Sequence, residues 1–136
     1  MKDLDRKGLR TWIEIDTKTL ENNYKVLRAS LPSGCKLMSV SKSNAYGHSL
    51  VDFSKEVEKL GADWIGVDSV VEAITLREES VKIPMLVLGY TLPEMLEKAS
   101  DLNISLSVST FETLNAIEQS NFSKKLKIHI KVDTGM

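Results

Sequence analysis

One cysteine, Cys35, is too few for an intrachain disulfide or a thiolate cluster, so a reducing compartment is expected and no metal-ligand set. No apolar run approaches membrane-spanning length, and the opening Met-Lys-Asp-Leu-Asp-Arg-Lys-Gly has no apolar core to make a signal peptide. A cytoplasmic location without membrane contact is therefore expected. A charge excess is missing too: 18 Lys and Arg stand against 19 Asp and Glu, a formal net charge of −1, which gives no electrostatic case for nucleic acid. There is no linker or low-complexity segment. What remains is a chain of 136 residues, 42% apolar and 27% charged, long enough for one globular domain and too short for two ordinary ones.

The pattern is of short strands alternating with helices. Thr11 to Ile15 reads as a strand, and Asp16 or Thr17 caps a helix with Leu20, Tyr24 and Leu27 on one face, stopped by Leu31-Pro32-Ser33-Gly34. A central strand over about Cys35 to Ser41 follows, then a helix with Leu50, Phe53, Val57 and Leu60 on one face and Gly61 as its terminator. Three further units repeat the architecture without repeating the sequence. Their strands are Trp64 to Val67, Met85 to Leu88 and Ile104 to Val108, and their helices start at capping boxes: Ser69 with Glu72, Thr91 with Glu94, and Ser109 with Glu112. The first of these helices runs to about Glu79, the second tolerates Pro93 in its first turn, and the third carries Leu114 and Ile117. Leu126 to Val132 is the last strand. This alternation predicts an α/β fold with a parallel sheet and right-handed crossovers.

Two strands depart from the continuous apolar run of a fully covered parallel sheet. Ile104, Leu106 and Val108 alternate with serines, and Leu126, Ile128, Ile130 and Val132 alternate with Lys127, His129 and Lys131. Either a solvent-exposed sheet edge or the lining of a polar cavity accounts for both.

The richest stretch is Leu37 to His48, where a buried strand delivers Lys42 at its carboxyl end and Asn44, Tyr46, Gly47 and His48 follow at once. In parallel α/β folds the loops leaving the carboxyl ends of strands form the site crevice. A partly buried lysine there can attack a carbonyl to form a Schiff base; the bland alternative is a surface lysine that snorkels beside the sheet. Tyr46 offers a phenol, Gly47 lets backbone approach a ligand, and the turn runs into a helix N-terminus suited to an anion. A Schiff-base lysine beside a phosphate-sized anion site suggests an aldehyde phosphate cofactor. The other candidates have plainer accounts: His48 as a turn residue or cap, His129 as a satisfied interior histidine, Trp12 and Trp64 as packing residues, Asn44 and Asp133 as turn formers.

Lys42-Ser43-Asn44-Ala45-Tyr46-Gly47-His48 resembles the cofactor-lysine motif of the alanine racemase family, usually Lys-Ala-Asn-Ala-Tyr-Gly-His-Gly. Arg10 to Asp16, Gly61 to Val67 and His129 to Met136 agree with the same family in the same order. Ser41 and Ser43 depart from the Val and Ala common there, adding polarity around Lys42. The resemblance implies a pyridoxal phosphate enzyme with a (β/α)8 TIM barrel and a second β-rich domain, acting as a homodimer on alanine to supply D-alanine for peptidoglycan. It implies that Lys42 holds the cofactor as a Schiff base and moves the α-proton on the D side. It also implies that Tyr46 bonds the phosphate and that Val40 and Leu88 contact the cofactor. Lys131 matches a lysine commonly carbamylated in the family (N6-carboxylysine), which orients an arginine beyond the Thr-Gly-Met run. A carbamate needs a neutral amine, and an ordinary charged strand lysine is the alternative.

The family's length is well over twice this one, so residues 1–136 are expected to form the N-terminal part of the barrel domain: about five barrel strands after the opening strand and helix. The remaining strands and the C-terminal β domain, with its tyrosine base, lie outside the sequence. Such a piece is expected not to racemise alanine, and to associate or dissolve poorly through its open edges. Two other readings stand beside it: a non-catalytic pyridoxal phosphate-binding barrel, and a small doubly wound α/β interaction domain without cofactor. Serine or a broader set of amino acids stays open as substrate.

Overall fold

The computed structural model describes residues 8–135. Within them five parallel strands form one open sheet: β1 (Met38–Val40), β2 (Trp64–Val67), β3 (Met85–Val87), β4 (Ser105–Val108) and β5 (Ile128–Ile130). Their spatial order is their chain order. A doubly wound sheet reverses its strand order at a switch point, so this winding is that of a barrel wall and not of a finished doubly wound domain. The helices are α1 (Thr17–Ala29), the short turn α2 (Lys42–Tyr46), α3 (Leu50–Lys59), α4 (Val70–Glu78), α5 (Leu96–Asp101) and α6 (Phe111–Gln119), with a 3-10 turn at Pro93–Met95.

Three helices end alike. Gly61, Ser80 and Asn103 adopt φ of 90°, 67° and 53°, and the next amides, of Ala62, Val81 and Ile104, reach back to the carbonyls of Val57, Leu76 and Ala99 at 3.0, 3.0 and 2.9 Å. This is the Schellman closure, and all six of the latter residues are buried, as its apolar contact requires. The turn thus delivers an apolar residue into the core just before each of β2, β3 and β4.

The convex face of the sheet carries Ile65, Val67, Met85, Val87, Ile104 and Leu106, buried against Val57, Val70, Ala73, Leu76, Leu96 and Ala99 of the helices. The concave face carries the alternate residues. Ser105 is in register with Leu86 and Ser107 with His129, while the Trp64 and His129 rings meet edge to face at 5.5 Å. The edge account of the alternation holds for β5, which lies at the sheet edge with Ile130 80% exposed on the convex side, while the serines of β4 lie on the face turned away from the helices.

The amino ends of the strands are tied by side chains that bond backbone. Arg28 donates to Asp63 at 2.6 Å and to the Gly61 carbonyl at 2.9 Å, and Asp63 accepts from the Leu37 amide at 2.7 Å. Arg77 donates to the carbonyls of Val81, Ile83 and Leu102 at 2.8, 3.0 and 3.2 Å. The Leu37 amide, and after it Arg28, hold the Asp63 carboxyl below the ordinary aspartate range. A folded-state pKa below the unfolded one contributes stability that is present at neutral pH and lost as pH falls through the folded value. Denaturant melts across pH are expected to show this acid loss, and Asp63→Asn to weaken it while lowering the neutral-pH midpoint. An acid limb identical in the variant would refute the assignment.

Three sequence expectations need correction. Residues 11–15 form no strand: no other described strand lies beside them to supply a ladder, Ile13 is 77% exposed, and the Trp12 indole donates to Glu14 at 2.7 Å. Thr91 does not cap a helix. The chain enters through the 3-10 turn, whose Leu92 carbonyl accepts from Met95 at 2.9 Å, while the Thr91 hydroxyl is buried with no partner. The cap of α6 is Thr110, accepting from the Thr113 amide at 3.2 Å, one residue after Ser109. Asp16 caps α1, accepting from Lys18 and Thr19 at 2.9 and 3.1 Å.

Candidate active site

The Ser41 amide donates to the Gly66 carbonyl at 2.8 Å, carrying the β1–β2 ladder one residue past the strand. The chain then makes a left-handed turn: Ser43, Asn44, Ala45 and Tyr46 have φ of 53°, 56°, 51° and 53°, and Gly47 has 93°. Left-handed helix costs about 1–2 kcal/mol per L residue, so four in succession persist only if the surroundings over-determine them. The bonds that do so are on hand. Ala45 is buried and its amide donates to the Ser41 carbonyl at 2.8 Å; the Ala45 carbonyl accepts from the His48 amide and stands 3.0 Å from His48 Nδ1. Asn44 Oδ1 accepts from the Leu50 amide at 2.9 Å and caps α3. From across the loop, Glu72 of α4 accepts from the Ser43 amide with one carboxylate oxygen and from the Asp68 amide with the other, both at 2.8 Å.

Lys42 is the half-buried first residue of this turn, at the carboxyl end of β1. Val40 and Leu88 come together on the concave face, on either side of Gly66. A β-carbon placed on Gly66 would lie 3.1 Å from Leu88 Cδ1, 3.2 Å from Met38 Sδ and 3.4 Å from Val40 Cγ2. In the sequence Gly66 stands out only as a member of the Gly61 to Val67 stretch. A glycine inside a strand is itself a sign of close approach, and that signal could have singled it out. Tyr46 ends the turn and is 62% exposed. Lys131 is exposed just past β5, its amide donating to the Val108 carbonyl at 2.8 Å, two positions beyond His129 and so on the same face. Three strands separate Lys131 from Lys42, so the five-stranded sheet does not make them neighbours along itself. Asp133 closes a small turn by accepting from the Gly135 amide at 2.9 Å; Met136 lies outside the described residues.

A groove of about 520 Å³ beside the turn is lined by Ile15, Leu20, Phe53 and His48, and neither Lys42 nor any strand residue is among its lining. Among the described residues no group of His, Cys, Asp and Glu is placed to hold a metal ion, and no helix is long and apolar enough to cross a membrane.

The family profile described as "Alanine racemase, N-terminal domain" matches residues 15–136. The chain belongs to the alanine racemase family. An alanine racemase of Methanococcus maripaludis is 40% identical over 127 residues, covering 92% of this chain and 34% of that protein. Alanine racemase 2 of Bacillus subtilis is 36% identical, covering 92% and 33%. The crystal structure of alanine racemase from Bacillus anthracis with bound L-Ala-P superposes with a TM-score of 0.86 at 34% identity, over 93% of this chain and 33% of that one. A histidine racemase from Leuconostoc mesenteroides superposes with a TM-score of 0.73 at 31% identity, over 82% and 30%. The chain therefore spans about a third of the length of the relatives it matches, and its sheet corresponds to the N-terminal part of the TIM barrel in the alanine racemase structures.

The family implies pyridoxal phosphate. The residues present fit it: a primary amine at the carboxyl end of β1 and, on the concave face, an apolar cradle that a side chain at Gly66 would fill.

Proposed function

We propose that this chain carries the cofactor-lysine side of a pyridoxal phosphate-dependent alanine racemase. The observation that supports it most is the placement of Lys42 at the start of a strained, heavily bonded turn, two residues past Val40 of the Val40–Gly66–Leu88 cradle, in a chain whose relatives are named alanine racemases. When bound, the cofactor supplies the electron sink that makes the α-hydrogen of an amino acid acidic. Lys42 holds the cofactor through its amine and, once released, accepts or returns the α-proton at one face of the substrate carbon. Val40 and Leu88 pack against the cofactor with Gly66 leaving the space between them. Tyr46 donates its phenolic hydrogen to the phosphate, and Lys131 carries a carbamate.

Racemisation needs a second base on the opposite face of a planar carbon. We place that base, with the remaining barrel strands and a C-terminal β domain, in sequence beyond residues 1–136, and a homodimer as the working assembly. The role is supply of D-alanine for peptidoglycan in the cytoplasm. Alanine is preferred over other amino acids because the relatives at 32–40% identity bear that name.

The test mixes the chain with pyridoxal phosphate, reduces with borohydride and maps the labelled lysine by mass spectrometry. Label is expected on Lys42 and not on Lys42→Ala, with no conversion of D-alanine to L-alanine by the 136 residues alone. Label spread evenly over the surface lysines would sink the assignment of Lys42, and measurable conversion would sink the placement of the second base.

A further inference from the structure

The usual capping-box glutamate reaches back to the amide of its own N-cap residue. Glu72 instead bonds the amide of Asp68, one residue before the cap Ser69, and spends its second oxygen on Ser43, 29 residues away. Asp68 is held from the far side as well. Its carbonyl accepts from the Gly89 amide at 3.1 Å, and a β-carbon on Gly89 would stand 2.5 Å from that carbonyl oxygen. One carboxylate thus links the segments that leave the carboxyl ends of β1 and β2, and Gly89 extends the link to β3.

Ser43 is the residue directly after Lys42 and the first with positive φ. Fixing its amide fixes the direction in which the chain leaves Lys42. We propose that Glu72 is the positioning residue for Lys42, holding the entry of the left-handed turn through the Ser43 amide and anchoring it to the ends of β2 and β3 through Asp68. This rests on the reading of Lys42 as the cofactor lysine. Both oxygens act as acceptors, so glutamine cannot replace the group: its one carbonyl oxygen serves one amide, and its NH₂ would face the other donor. Aspartate keeps the charge near the N-terminus of α4 but is a methylene too short to span both amides.

The test is site-resolved labelling of the 136-residue chain with pyridoxal phosphate and borohydride, read beside the Ser43 amide resonance and the melting curve. In Glu72→Gln the Ser43 amide is expected to lose its exchange protection and the share of label on Lys42 to fall about tenfold, the scale of one lost charge-assisted hydrogen bond. Lys18 and Lys98 should label as before. Glu72→Asp should show the same loss, which separates the two-amide tether from charge at the helix end; if Glu72→Gln does not fold, Glu72→Asp carries the comparison alone. Unchanged Lys42 labelling in both variants overturns the positioning role and leaves the cofactor-lysine reading standing. A loss that only tracks a lowered melting temperature overturns the role too. No preference for Lys42 in the parent chain overturns the cofactor-lysine reading, and the role with it.

Discussion

Gly66→Val is expected to abolish cofactor labelling of Lys42 while the chain stays folded. Gly66 is buried in β2, and the first atom of any side chain there would already press on Leu88, Met38 and Val40 at 3.1–3.4 Å. Leu88 and Met38 are flexible and can give by a few tenths of an ångström, whereas Val40 is β-branched and stiff at χ1. The two further methyls of valine must then occupy the concave space above the cradle, where the cofactor is proposed to lie. Displacing a reacting group by about 1 Å costs on the order of 10²-fold, and a blocked floor displaces it at least that far. On stability the strand preference of valine over glycine opposes the cost of overpacking, about 1–3 kcal/mol, so the net change is small beside the loss of labelling. Mass mapping of the reduced adduct and a thermal melt separate the two effects. A Val variant that labels like the parent would place the cofactor elsewhere.

Leu76→Ala is expected to cost about 3–5 kcal/mol, the range for leucine truncation at a fully enclosed site. Leu76 is wholly buried in α4, and its carbonyl closes the helix by accepting from the Val81 amide at 3.0 Å. Domains of ordinary size are stable by only about 5–15 kcal/mol, so this one change removes a large fraction of the total. Urea melts should show a lower midpoint with an unchanged slope. Leu114, 41% exposed on α6, is the control, and its truncation should stay within about 0.5 kcal/mol. A loss below about 1 kcal/mol at Leu76 would mean that the helical layer does not pack on the sheet as described.

The units were legible where local chemistry decides local structure. Asp16 caps α1, Ser69 caps α4 and Gly61 ends the closure after α3, because side-chain oxygens and freedom at positive φ act within a few residues of themselves. The turn after Lys42 was not legible. Of Ser43, Asn44, Ala45 and Tyr46 only asparagine favours positive φ; the conformation is held by Glu72 from another unit and by burial of Ala45. Thr91 and Ser109 failed as caps for the same kind of reason. A 3-10 entry at Pro93 and a neighbouring threonine at 110 changed which hydroxyl met a free amide. The strand over 11–15 failed because its pattern says nothing about whether a neighbour is there to pair with. Val40 and Leu88 rested on family resemblance, and what joins them, a missing side chain between them, became visible only once β1, β2 and β3 were in register.

The sheet's strictly sequential order bears on how it assembles. Met38 pairs with Trp64, Ile65 with Met85, Leu86 with Ser105 and Leu106 with Ile128, so every strand finds its partner 19–26 residues along the chain. Loop-closure entropy grows only with the logarithm of length, so each closure costs nearly the same and none waits for a distant segment. As a ribosome releases the chain, each new unit can dock on the edge left by the one before it.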